Sequence, residues 1–229
     1  IPCEMCIRDR AWTVRASCPA GVVLAFHSDT AEIGVELACG GAARTASFVD
    51  VVVDGIFSGC IGSSECLKLI EGVFSIGNGQ ERRERLIELY LPHVRVSSLK
   101  SLRLSDNASF RAAQAKPLLL ALGDSITQGM NSFHPALGYA MTAARLLGMD
   151  IHNLGVGGAF FNHASLPDAP CANPSLITVA YGVNDWNLNV PPGEAKPYLE
   201  KVRAHYPGIP MAVLEPIWLN GETNEAETA

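Results

Sequence analysis

One run of apolar residues constrains the fold more than any other feature of the chain. Residues Leu118 to Leu122 are all apolar, and the run stops at Gly123. Such a run, bounded by glycine, is typical of a strand buried on both faces, as in a parallel sheet covered by helices. A stretch rich in Ala, Leu and Met follows from about Ala136 to Leu147 and has the composition of a helix. The two segments together predict one unit of an α/β domain.

The same alternation continues toward the end of the chain. A second helix is predicted from Glu194 to His205. Further strands are predicted at 151–154, 176–180 and 211–214. Because parallel strands are joined by helical crossovers, this order predicts a doubly wound parallel α/β domain over residues 116–229.

The segment before this domain has the pattern of strands instead. An apolar run at 48–53 leads into Asp54 and Gly55, which is a hairpin signal because that tight turn needs positive φ at its central residues. Four more short runs are predicted as strands, at 33–37, 87–91, 94–96 and 102–104. Several short strands at this spacing predict an antiparallel β-sandwich domain over residues 21–115.

The first 20 residues differ from both regions. They start at Ile1 without Met, show neither a strand nor a helix period, and lack the apolar stretch of a signal peptide. We expect residues 1–20 to be a leader that is irregular or foreign to the fold.

Composition excludes several classes of function. Hydrophobic residues make up 48% of the 229 residues, so the chain can bury a core and is not disordered. The formal net charge is -6 and Lys and Arg form no dense cluster, which makes nucleic acid a poor partner. No apolar run reaches the roughly 18 residues of a membrane span, so we expect no membrane partner. Oligomeric state and compartment stay open.

Residues that carry chemistry follow the first buried strand directly. Gly123, Asp124 and Ser125 occupy the point where the strand ends and the chain turns toward a helix. Open α/β sheets place their reactive groups at the carboxyl ends of their strands. A serine at the start of a helix also serves as a cap, so Ser125 taken alone does not decide between a nucleophile and a cap.

Two more glycine-bearing loops follow predicted strands. Residues 153–158 read Asn-Leu-Gly-Val-Gly-Gly, and residues 181–186 read Tyr-Gly-Val-Asn-Asp-Trp. Taken singly, each loop could be an ordinary tight turn or a helix cap. The first of them lacks the third glycine of the dinucleotide-binding pattern, which excludes that class of cofactor.

The three motifs, in this order, resemble the blocks of the SGNH, or GDSL-type, hydrolase family, and the preceding β-sandwich resembles one of its subgroups. The resemblance implies that the hydroxyl of Ser125 attacks an ester carbonyl. It also implies an oxyanion hole formed by the backbone amides of Ser125 and Gly158 and the side chain of Asn184, with Asp124 in a supporting role. We expect no metal and no cofactor, because these donors are protein amides.

The base that such a serine needs is missing from the sequence pattern. A hydroxyl becomes a useful nucleophile when a neighbouring base takes its proton, usually a histidine held by a carboxylate. The family carries this pair near its C-terminus as Asp-x-x-His, a spacing that this chain does not contain. Asn131 and His134 have that spacing, but asparagine cannot stabilise an imidazolium as a carboxylate does. We expect the α/β domain to be C-terminally incomplete; the alternative is a chain without a working triad.

These observations predict a serine esterase that hydrolyses short-chain acyl or acetyl esters of a carbohydrate or small metabolite through an acyl-enzyme on Ser125. Two alternatives remain. The first is an acyltransferase of the same fold, in which an alcohol replaces water as the acceptor. The second is a catalytically inert protein that binds a carbohydrate or a partner.

Overall fold

The computed structural model describes residues 10–76, 82–187 and 193–216. It begins with a helix, α1 (Arg10–Ala16), so this stretch is not irregular, while the leader over residues 1–20 stays a prediction. A helix of seven residues is too short to be stable alone in water and depends on the surfaces it packs against. For α1, one such surface is a strand of the sandwich, where Val14 lies against Gly41.

The strands that follow form two antiparallel sheets, which confirms the predicted antiparallel region before the α/β domain. A five-stranded sheet has the order β4-β3-β6-β1-β8, and a three-stranded sheet has the order β5-β2-β7. The strands are β1 (Val23–Ser28), β2 (Glu32–Ala42), β3 (Ser47–Val53), β4 (Ile56–Ser63), β5 (Leu69–Ser75), β6 (Arg85–Tyr90), β7 (Arg95–Leu104) and β8 (Arg111–Ala112).

The core of the sandwich is built by the inward residues of both sheets. Ile33 and Leu37 of β2 are fully buried and belong to one cluster with Val51 and Ile87 of the larger sheet. Alternate residues of a strand point to opposite faces, so the period of two in the sequence marks the core face. The predicted hairpin joins β3 to β4, and its two turn residues, Asp54 and Gly55, have φ of 51° and 81°.

The two short strands predicted at 94–96 and 102–104 are one strand, β7. Residues 98–100 in its middle are exposed, so the apolar alternation that marks a strand is interrupted there. A shift of register between Glu36 and Leu37 of β2 accompanies this stretch. An irregular ladder of this kind leaves no simple period in the sequence.

The second half of the chain forms a four-stranded parallel sheet in the order β10-β9-β11-β12, which confirms the predicted α/β architecture. Its strands are β9 (Leu118–Gly123), β10 (Asp150–Gly155), β11 (Leu176–Ala180) and β12 (Met211–Val213). Its helices are α2 (Ser125–Gln128), α3 (Tyr139–Leu146), α4 (Val183–Asn187) and α5 (Ala195–His205).

Both faces of this sheet are covered, as in a doubly wound fold. Leu120 and Leu122 of β9 pack on one face with Tyr198 of α5. Ala121, between them in sequence, lies on the other face and packs with Met141 of α3. Burial on both faces explains why β9 is a continuous apolar run.

The sandwich packs on the α3 side of the parallel sheet. Val52 of β3 and Tyr90 of β6 share a buried cluster with Ala140 and Met141 of α3. Strands β8 and β9 lie on either side of the predicted boundary at residues 115 and 116, and the division into two domains stays a prediction.

The predicted helix from Ala136 to Leu147 is divided in two. A 3-10 turn spans Pro135–Leu137, and α3 starts after Gly138, whose φ of -58° and ψ of 145° are extended rather than helical. Within the described ranges, no helix is long and apolar enough to cross a membrane.

Candidate active site

The three sequence motifs lie at one edge of the parallel sheet. Gly123, the last residue of β9, pairs with Gly155 of β10 and with Ala180 of β11. The strands are parallel, so the loops that follow these three residues leave the sheet at the same edge. The structure therefore brings together the three loops that carry Ser125, Gly158 and Asn184, while the roles of these residues stay predictions.

Ser125 begins α2, but it does not cap that helix. The cap is Asp124, whose Oδ1 accepts a hydrogen bond from the amide of Ile126 at 2.8 Å. Asp124 is 2% exposed, and burial raises the pKa of its carboxyl. Ser125 is half-buried, and no described residue hydrogen-bonds its hydroxyl. Because Asp124 satisfies the start of the helix, the hydroxyl of Ser125 is left for another role.

Close packing against β10 fixes the position of α2. Asn153 donates from Nδ2 to the carbonyl oxygen of Thr127 at 2.7 Å and accepts the amide of Gly155 at 2.9 Å. A Cβ on Gly155 would lie 2.3 Å from the backbone nitrogen of Gln128, so only glycine fits at this end of the strand. The helix that presents Ser125 is therefore held against the second motif.

Gly158 has a backbone conformation that favours glycine. Its φ is 86°, in the left-handed region. A Cβ added there would lie 3.0 Å from Nη1 of Arg15 and 3.7 Å from Cζ2 of Trp12. The second motif therefore lies directly against α1, a contact that the sequence did not predict.

The neighbouring residue, Gly157, is held on both sides of its backbone. Its amide donates to Oε1 of Gln128 at 2.8 Å, and its carbonyl oxygen accepts from Nη1 of Arg15 at 3.0 Å. Gln128 is fully buried and also donates from Nε2 to the carbonyl oxygen of Arg15 at 2.8 Å. We refer to Arg15 and Gln128 with these three hydrogen bonds as the Gly157 clamp. Sequence reasoning missed both side chains, although Gln128 lies in the motif of the serine.

The third motif is tied to the second by two side chains of α4. Asn184 donates from Nδ2 to the carbonyl oxygen of Ala159 at 2.8 Å. Asp185 accepts the amide of Phe161 with Oδ1 at 3.0 Å. A side-chain amide carries two hydrogens, so the bond to Ala159 leaves Asn184 one hydrogen for a ligand.

His134 has a carboxylate partner that no local pattern could indicate. Its Nδ1 lies 2.9 Å from Oδ1 of Asp50, a fully buried residue of β3 whose Oδ2 accepts the amide of Ala136 at 2.9 Å. The imidazole stacks on Phe48 at 4.8 Å between ring centroids and meets Phe57 edge-on at 5.3 Å. These partners belong to the sandwich, apart from Ala136, so His134 fastens its loop to the sandwich.

One group of described side chains has the geometry of a metal site. Donor atoms of Asp50, Cys60 and His134 lie within 4.8 Å of one another. The Asp50 and His134 atoms already bond to each other. The expected absence of a metal and of a cofactor stays a prediction.

His93 is the most deeply buried of the described histidines. It is 1% exposed, and its Nε2 lies 2.7 Å from the carbonyl oxygen of Gly129 and 3.0 Å from that of Ser132. Both partners are acceptors, so Nε2 carries a hydrogen, while the buried Nδ1 has no partner. Burial lowers the pKa of this imidazole, and its contacts with the two carbonyl groups support the loop after α2.

Comparison with known proteins agrees with this architecture. The model of the GDSL-like lipase/acylhydrolase family matches residues 121–229. This range contains Ser125, Gly158 and Asn184 and all of the α/β region except its first residues. No curated protein matches the chain.

Solved structures with the same fold extend over both regions. The salicylyl-acyltransferase SsfX3 from a tetracycline biosynthetic pathway has a TM-score of 0.70 at 20% identity, over 94% of this chain and 65% of that one. A GDSL-like lipase from Bacteroides ovatus has a TM-score of 0.69 at 17% identity, over 90% of this chain and 64% of that one. A family two carbohydrate esterase from Cellvibrio japonicus has a TM-score of 0.64 at 20% identity, over 92% of this chain and 74% of that one. The chain thus spans just under two thirds of the first two structures.

The predicted resemblance to the SGNH, or GDSL-type, hydrolases is confirmed by the family match together with these folds. The chain has the form of this fold in which antiparallel sheets precede the parallel sheet, as in structures that include carbohydrate esterases and an acyltransferase.

Proposed function

We propose that the chain is a serine esterase that cleaves carboxylic esters through an acyl-enzyme on Ser125. The observation that carries the proposal is that the cap of α2 and the free hydroxyl belong to different residues. Asp124 caps the helix, and the hydroxyl of Ser125 has no partner among the described residues. It stands at the sheet edge where the loops of Gly158 and Asn184 converge.

The reaction follows from this arrangement. Oγ of Ser125 attacks the ester carbonyl carbon, and the carbonyl oxygen becomes negatively charged. That oxygen accepts hydrogen bonds from the amides of Ser125 and Gly158 and from Nδ2 of Asn184. The tetrahedral species collapses to an acyl-enzyme and releases the alcohol, which takes up a proton. Water then attacks the acyl group, which releases the acid and restores the hydroxyl of Ser125.

The proton of Ser125 has to pass through a base, and we assign none within the described residues. Nδ1 of His134 is bonded to Asp50, and the ring packs between Phe48 and Phe57 of the sandwich. His93 is closed off by two carbonyl groups and has no exposed nitrogen. We therefore propose residues for the nucleophile and the oxyanion hole only.

We propose short-chain acyl esters, acetyl esters among them, of a carbohydrate or small metabolite as the substrate class. The carbohydrate esterases among the structures of this fold support a sugar ester as the substrate. The acyltransferase among them supports a second candidate function, acyl transfer to an alcohol. Adding an alcohol to the reaction separates the two. A hydrolase releases free acid at an unchanged rate, whereas a transferase forms a new ester at the expense of the acid.

Covalent trapping tests the proposed intermediate. The chain is mixed with p-nitrophenyl acetate, quenched in acid, digested and analysed by mass spectrometry. We expect acetylation of the peptide that carries Ser125, and no acetylation of this peptide in Ser125→Ala. If acetyl groups are spread over lysines to the same extent in both proteins, the proposed acyl-enzyme is excluded and the inert binding protein is favoured.

A further inference from the structure

We infer that Arg15, outside all three motifs, is a positioning residue that fixes and polarises the oxyanion-hole amide of Gly158. This inference rests on the proposed function, because it assigns a role within that site. It gives α1 a part in the chemistry of a domain that begins about a hundred residues later in the chain.

The planarity of the peptide group links Arg15 to the amide of Gly158. The carbonyl oxygen of Gly157 and the N–H of Gly158 belong to one planar amide and point in opposite directions. Nη1 of Arg15 donates to that oxygen at 3.0 Å. The guanidinium therefore fixes the direction in which the N–H of Gly158 points, although Arg15 bonds the other end of the amide.

The charge of Arg15 adds a second effect. A hydrogen bond from a charged donor is about twice as strong as one between neutral groups. It draws electron density toward the carbonyl oxygen, which makes the N–H of the same amide a better donor. Among residues 10–76, 82–187 and 193–216, no carboxylate forms an ion pair with Arg15.

Independent contacts keep Arg15 in this position. Gln128 holds the backbone of Arg15 through its carbonyl oxygen and the backbone of Gly157 through its amide. Trp12, one turn earlier in α1, meets Phe160 edge-on at 6.3 Å between ring centroids. The helix is thus joined to the second motif on both sides of Gly158.

The matched control is an arginine with the same bond at the opposite edge of the sheet. Arg203 of α5 donates from Nη1 to the carbonyl oxygen of Ile209 at 2.7 Å, just before β12 begins at Met211. The beginnings of parallel strands lie opposite to the edge that holds Ser125. Arg203→Gln therefore removes an arginine-to-carbonyl bond without touching the proposed site.

The kinetic test compares Arg15→Gln, Arg15→Lys and Arg203→Gln with p-nitrophenyl acetate as substrate. We expect Arg15→Gln to lower kcat about 10-fold with KM nearly unchanged, less than the 10²–10³-fold loss on removal of a donor. Arg15→Lys should restore part of kcat because lysine keeps the positive charge, and Arg203→Gln should keep the full kcat of the parent chain. Equal kcat in the Arg15 variants and the parent chain would overturn the inference.

A second readout does not depend on turnover. The amide resonance of Gly158 in a ¹⁵N–¹H spectrum should move in Arg15→Gln, while that of Gly155, whose amide bonds to Asn153, stays in place. If Ser125→Ala turns over substrate as fast as the parent chain, the proposed function fails, and the Gly158 resonance alone decides the role of Arg15. An unmoved Gly158 resonance in folded Arg15→Gln and Arg15→Lys would contradict it.

Discussion

The side chain of Asn184 donates to the carbonyl oxygen of Ala159 over 2.8 Å, and this bond joins the third motif to the second. It spans 25 residues of sequence and joins the loops that follow β10 and β11, the two strands on either side of β9. The bond orients the amide, so that its second hydrogen is held in a defined direction. Such preorganisation is what an oxyanion donor requires.

Loss of this donor should slow the reaction without unfolding the chain. We expect Asn184→Ala to lower kcat/KM for p-nitrophenyl acetate by about 10²–10³-fold, equivalent to about 3 kcal/mol of transition-state stabilisation. Asn173, exposed in the segment before β11, provides the matched control Asn173→Ala, which should keep the parent value. A similar kcat/KM in both variants would exclude Asn184 from the oxyanion hole.

Gln128 should be necessary for stability because it is the buried half of the Gly157 clamp. Leucine is close to glutamine in size, but Gln128→Leu leaves the amide of Gly157 without a partner and removes one of the two hydrogen bonds to the carbonyl oxygen of Arg15, which keeps the amide of Cys18. We expect the free energy of unfolding to fall by about 1–3 kcal/mol, as measured by urea denaturation. Gln114→Leu replaces an exposed glutamine and should change it by less than about 0.5 kcal/mol. Equal stability of the two variants would contradict the clamp.

His134 should matter for stability and not for catalysis. His134→Gln removes the ring between Phe48 and Phe57 and weakens the bond to Asp50, so we expect a loss of about 1–2 kcal/mol in the free energy of unfolding. The kcat for p-nitrophenyl acetate should stay at the parent value. Loss of turnover with unchanged stability would instead identify His134 as the missing base.

The buried imidazole of His93 predicts a dependence of stability on pH. Burial lowers its pKa below the ordinary 6.5, so the unfolded chain binds a proton at a higher pH than the folded chain does. Its neutral form therefore contributes stability fully above 6.5, and this contribution is lost as the pH falls through 6.5 toward the lowered pKa.

Denaturation between pH 7 and pH 5 measures this effect. One proton contributes a slope of up to about 1.4 kcal/mol per pH unit. We expect His93→Gln to be less stable at pH 7 but to lose less free energy of unfolding over this range than the parent chain. Parallel pH profiles would show that His93 does not titrate between the two states.

The parts of the fold that could be predicted are those whose burial pattern appears directly in consecutive residues. The buried run of β9 and the alternation of β2 each reflect a single burial environment, so their periods are clear. The three motifs could be located because each directly follows a strand of this kind. Strand β7 was divided in the prediction because its exposed middle has no apolar period.

Other features depend on contacts between distant parts of the chain. Arg15 and Gly157 are 142 residues apart, and Asp50 and His134 are 84 apart. Helix α1 has no strong helical pattern in its sequence, and its contacts are with Gly157, Gln128 and Gly41, which are all distant along the chain. No local pattern can report a bond whose other half lies in a different sheet or helix.

The turnover of p-nitrophenyl acetate by the parent chain and by Ser125→Ala measures whether Ser125 is a nucleophile. Ser58→Ala, at an exposed serine of β4, is the control for loss of a hydroxyl. We predict that the parent chain and Ser58→Ala release p-nitrophenol above the buffer rate and that Ser125→Ala falls to the buffer rate. Equal rates for the parent chain and Ser125→Ala would contradict the account.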